Sequence, residues 1–141
     1  EDMRKLCCAL VTEQCSLAEL DLSECLLTHE CTTALLEALG RGHCGLTKLN
    51  LGGNKISDEG VAMLCCAVRK NQSKLTELSI HYCALTDKCI PSFCGALGDV
   101  RCSLTNLDVN CNYFSEEAKT LFSDVQEFEH CKARGLEILV V

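Results

Sequence analysis

The chain has 141 residues, 48% of them hydrophobic, yet aromatics supply only 4% and tryptophan none, so one domain's worth of chain must build its core from aliphatic side chains and cysteine. Thirteen Lys and Arg against twenty Asp and Glu set the formal charge at −7, which argues against a nucleic-acid binder that lives on phosphate neutralisation. One proline, nine glycines and 23% charged residues fit a chain ordered throughout, and no stretch approaches the roughly 18 apolar residues of a membrane span or follows the Glu1-Asp-Met-Arg-Lys5 start as a signal peptide would.

Residues 1–16 align with 59–74 and predict a helix over 2–12, the helix of a repeat without its strand, so the sequence is expected to be a piece of a longer parent. Leu17-Ala-Glu-Leu20-Asp-Leu22 predicts a strand from near Ala18, with Leu20 and Leu22 inward and Glu19, Asp21 and Ser23 outward. A helix over 30–39 follows. The same block returns as Leu46-Thr-Lys-Leu49-Asn-Leu51 with a helix over 59–70, as Leu75-Thr-Glu-Leu78-Ser-Ile80 with a helix over 88–98, and as Leu104-Thr-Asn-Leu107-Asp-Val109 with a helix over 116–128. Successive blocks start 29 residues apart. A fifth copy, Leu136-Glu-Ile-Leu139-Val-Val141, starts 32 residues after the fourth and predicts a strand from Glu137. The units are therefore a partial repeat 1–16, repeats 17–45, 46–74, 75–103 and 104–135, and a terminal strand 136–141, together one domain over 1–141. Thr28, Ser57, Thr86 and Ser115 share one column and are expected to cap the helices.

Each unit reads L-x-x-L-x-L-x-x-(N/C)-x-L and so resembles the leucine-rich repeat. Strands about 4.8 Å apart joined to helices needing 8–10 Å predict a curved, right-handed α/β solenoid, with a parallel sheet on the concave face and helices on the convex face. The column Cys25, Asn54, Cys83, Asn112 alternates, as does Cys31, Gly60, Cys89, Ala118. Two interleaved repeat types of this kind resemble the ribonuclease-inhibitor subfamily and, within it, the C-terminal repeats of cytosolic NOD-like receptors.

Fourteen cysteines raise the question of disulfides or metal, but twelve fall on shared repeat columns, and two cysteines on one strand column two repeats apart are too distant to bridge. Zinc would call for paired ligands such as C-x-x-C, which the sequence lacks; His43-Cys44, His81-Tyr82-Cys83 and His130-Cys131 are neighbours explained by the columns. No cofactor or metal is expected. Buried free thiols imply a reducing compartment and a cytoplasmic location, in which the Asn71-Gln72-Ser73 sequon is idle. His81 and Cys83 lack an orienting third group, and Gly52-Gly53 is followed by no phosphate-binding fingerprint and reads as a tight turn, so no enzyme is expected.

The outward strand positions are free to encode a partner: Glu19, Asp21, Ser23 and Glu24; Lys48, Asn50, Gly52 and Gly53; Glu77, Ser79, His81 and Tyr82; Asn106, Asp108 and Asn110. Five acids face one lysine, which suits a basic protein partner, with Tyr82 as the aromatic anchor. Membranes and nucleic acids are not expected partners; upstream domains of the parent, and self-association through an exposed N-terminal repeat edge, are. The resemblance to NOD-like receptors implies a ligand-recognition and autoinhibitory domain in innate immune signalling. The resemblance to ribonuclease inhibitor implies instead a stoichiometric inhibitor of a small basic enzyme, and a non-immune scaffold is a further alternative.

Overall fold

A computed structural model describes residues 1–41, 45–69 and 74–141. The chain runs α1 (Asp2–Leu10), β1 (Glu19–Asp21), α2 (His29–Arg41), β2 (Lys48–Asn50), α3 (Ser57–Val68), β3 (Glu77–Ser79), a 3-10 turn (Asp87–Cys89), α4 (Ile90–Leu97), β4 (Asn106–Asp108), α5 (Glu116–Gln126), α6 (Glu129–Ala133) and β5 (Glu137–Leu139). The five strands form one parallel sheet in chain order, with Leu20, Leu49, Leu78, Leu107 and Ile138 in register across it. The helices pack in the same order on the sheet's other side.

The 29-residue period places identical columns over one another. Leu49, Leu78 and Leu107, then Leu51, Ile80 and Val109, face the helices and are buried, while Phe93, Phe114 and Phe122 stack with ring centroids 5.5 and 5.3 Å apart. Core cover runs down toward the first repeat, where Leu20, Leu22 and Leu27 are only half-buried.

Strands β1, β2 and β4 end after three residues where the last side chain turns back on its own backbone. Asp21, Asn50 and Asp108 accept the N–H two residues on, from Ser23, Gly52 and Asn110, at 2.9, 3.0 and 3.0 Å, an arrangement that competes with a sheet ladder. Beyond that corner the asparagine column replaces strand bonds with side-chain ones. Asn54 Nδ2 donates to the Leu22 and Leu51 carbonyls at 2.8 and 3.0 Å and its Oδ1 accepts from Leu27, while Asn112 does the same for Ile80, Val109, Cys83 and Leu85. In the alternate repeats the cysteine is a donor as well as a packing residue: Cys25 Sγ meets the Ser23 carbonyl at 3.3 Å, and Cys83 Sγ meets His81 and Leu51 carbonyls at 3.3 and 3.5 Å.

The helix caps follow the expected column. Thr28, Thr86 and Ser115 hydroxyls accept from Cys31, Lys88 and Ala118 N–H groups at 3.2, 3.3 and 3.2 Å. Ser57 makes the same bond to Gly60 at 3.3 Å, but from a left-handed backbone of φ 67° inside the first turn of α3.

Three expectations need correction. The helix expected over 116–128 stops at Gln126, and the three extra residues of the last unit are absorbed by a separate helix, α6, before β5. The helix expected over 88–98 begins as a 3-10 turn at Asp87, because Pro91 belongs at the first positions of a helix and α4 starts only there. Gly53, with φ of 71°, is the turn glycine, but Gly52 is not. A side chain on Gly52 would lie 2.1 Å from the His81 ring, which rests across it. His43-Cys44 and the Asn71-Gln72-Ser73 sequon lie outside the described residues.

Candidate functional site

The sheet face opposite the helices carries a groove of about 610 Å³ that runs over Leu20, Leu49, Leu78 and Leu107, whose side chains turn toward the helices, and is walled by the outward strand positions. Two rows of side chains cross it, because parallel pairing sets equivalent residues side by side. The first row is Glu19, Lys48, Glu77, Asn106 and Glu137. Lys48 Nζ lies 3.4 Å from Glu19 and 3.7 Å from Glu77, and those two carboxylates hold its ammonium above the usual lysine range. The one lysine expected to vary the acidic face is therefore clamped within it.

The second row is Asp21, Asn50, Ser79, Asp108 and Leu139. Asp21 accepts from the Ser23 hydroxyl at 2.6 Å and from Asn50 Nδ2 at 3.3 Å. The Ser23 bonds lead in holding its carboxyl below the usual range, and Asn50 and the nearby His81 push the same way. Ser79 Oγ lies 2.7 Å from His81 Nδ1 and 3.4 Å from Asp108 Oδ2, and His81 Nδ1 lies 3.8 Å from that same oxygen. A serine, a histidine and an aspartate thus meet, but in a nucleophilic relay the serine and the carboxylate occupy different ring nitrogens. Here both face Nδ1, on an open groove. The cluster orders the surface and does not build a nucleophile.

Among the sequence-predicted residues, Glu19, Asp21, Lys48, Asn50, Glu77, Ser79, Asn106 and Asp108 line the groove. Ser23, His81 and Asn110 lie just past the strand ends, with the Asn110 side-chain oxygen buried and unpaired. Glu24 and Tyr82 were expected on the concave face but sit beyond it, on the turns that lead to the helices, where φ is 52° and 53°. The asparagine and cysteine columns pull the chain out of the strand before those positions are reached. Sequence reasoning missed Glu137 and Leu139, which complete the groove, although Glu137 stands in the closing copy at the column of Glu19.

Among the described residues, no three His, Cys, Asp or Glu side chains converge to hold a metal ion, the thirteen described cysteines are free thiols, and no helix is long and apolar enough to cross a membrane.

Two family models, both described as leucine-rich repeat, match residues 43–65 and 74–96, each running from one strand of this sheet into the helix that follows. The chain is a leucine-rich-repeat solenoid. A search of curated proteins finds no match. Leucine-rich repeats are protein-interaction modules.

Proposed function

We propose that this leucine-rich-repeat module binds a basic protein surface along the groove over β1–β5. One observation carries the reading: Lys48 is neutralised between Glu19 and Glu77, so Asp21, Asp108 and Glu137 face a groove whose lining holds no other lysine or arginine. Such a field raises the on-rate of a positively charged partner and rejects an acidic one. The free, column-placed thiols support a reducing, cytoplasmic setting. With the two interleaved repeat types, they favour the reading as the C-terminal recognition domain of a NOD-like receptor, the parent supplying further domains upstream.

The test is calorimetric titration with synthetic basic peptides, comparing the native chain with the triple variant Glu19→Lys, Glu77→Lys, Glu137→Lys, which spares the Asp21 and Asp108 carboxylates that close their strand ends. The side chains changed are exposed, so circular dichroism should stay native while binding and its salt dependence are lost. Unchanged affinity at low salt would remove the groove as the site. A nucleotide-binding region in the parent upstream of Glu1 is what the receptor reading requires; repeats alone there would favour the inhibitor.

A further inference from the structure

Resting on that groove, we infer that the rim of strand-to-helix turns beside it anchors the partner, and that the occupant is an extended segment bearing arginine and aliphatic side chains. The turns share a backbone column, Glu24, Gly53, Tyr82 and Cys111, with φ of 52°, 71°, 53° and 58°. The repeat imposes this left-handed conformation, and Gly53 shows that the smallest residue satisfies it. A bulky side chain there is strained without helping the fold. Tyr82 occupies it all the same and leaves 71% of itself in solvent. Two residues further on, Leu26 repeats the pattern, with φ of 52° and 89% exposure, and Tyr113 in the last turn is 75% exposed.

These side chains neither relieve strain nor fill the core, and Leu26, Tyr82 and Tyr113, which together make an apolar rim, are among the most exposed large apolar side chains of the described residues. The Tyr82 N–H bonds to the Asn110 carbonyl and the Tyr113 N–H to that of Leu85, so both tyrosines stand on the same seam between two repeats. Leu26 is three repeats from Tyr113, about 14 Å at the strand spacing, which an extended segment of about five residues spans. The carboxylates of the neighbouring groove select its charge. Tyrosine faces prefer guanidinium to ammonium, which selects arginine over lysine.

The chain has two tyrosines, both on this rim, and no tryptophan, so its intrinsic emission reports the rim alone. The probes are an eight-residue arginine-leucine peptide and a lysine-glycine peptide of equal length and charge, both without aromatics. The arginine-leucine peptide should bind about tenfold tighter and protect tyrosine emission from acrylamide. Tyr82→Gly, which relieves the left-handed backbone, combined with Tyr113→Ser at an exposed side chain, keeps the fold and should erase that preference and leave lysine-glycine binding unaltered. If the arginine-leucine peptide binds and the groove charge reversal abolishes that binding, while tyrosine quenching and the rim variant show no effect, the rim is overturned and the groove stands. If neither peptide binds, both fall.

Discussion

Thr32 buries its hydroxyl in α2 at 1% exposure with no hydrogen-bond partner, at a column that the next two repeats fill with Val61 and Ile90. An unpaired buried hydroxyl costs about 1–3 kcal/mol, and valine has the same shape. Thr32→Val is therefore expected to stabilise the chain by about 1 kcal/mol and raise its melting temperature by about 3 °C in a thermal scan. Thiols divide at the same scale. Burial pushes the Cys65 thiol up to about 12, and burial with the Asp58 carboxylate close by raises Cys89, whereas Cys8, Cys25, Cys66 and Cys111 are exposed. Because the thiolate is the reactive form, brief alkylation followed by mass spectrometry should label those four in the native protein and reach Cys65 and Cys89 only in denaturant.

Consecutive turns are tied together by carboxylates that composition alone does not reveal. Asp58 accepts from the Thr86 N–H and hydroxyl at 3.0 and 2.7 Å, and Asp87 from those of Ser115 at 2.9 and 2.6 Å, so the residue after one helix cap fastens the cap of the next repeat. The equivalent place in α2 is His29, which offers no carboxylate. The Ser115 bonds hold the Asp87 carboxyl below its ordinary 3.8, and the Arg101 side chain and N–H do the same for Asp99. A carboxyl with a depressed folded pKa binds fewer protons folded than unfolded. Its contribution is thus complete above the unfolded value and disappears as pH falls through the folded one. Urea unfolding between about pH 5 and pH 2 should show stability falling below about pH 4, with a shallower acid limb in Asp87→Asn. The start of α5 followed the column logic at its visible cap, Ser115. Other boundaries failed where a 3-10 turn and Pro91 delayed α4 and where the final unit spent its extra residues on α6.

Across the whole molecule, stacking is one-dimensional, so each unit is fastened to the one before it. At the C-terminal end Arg134 reaches back to the Leu104 and Leu97 carbonyls, both at 2.7 Å, while Cys131 Sγ meets Leu97 at 3.1 Å and Gln126 meets Leu136 at 3.1 Å. Arg134→Ala removes the guanidinium donor from both carbonyls and leaves Leu97 with only the weak Cys131 thiol donor. It should cost about 2 kcal/mol, felt locally as faster amide exchange over β4 and β5 with β1 and β2 unaffected. The amino-acid sequence by itself determined the period, the strand positions, the inward leucines and the cap column, because each follows from local side-chain alternation repeated every 29 residues. Only the tertiary structure decided that Lys48 is clamped by carboxylates of two neighbouring strands, that Gly52 is small to seat His81, and that Tyr82 stands on the rim and not in the groove. Those facts depend on contacts between residues 28 to 32 positions apart, whose distances the stacking of repeats sets and no local pattern encodes.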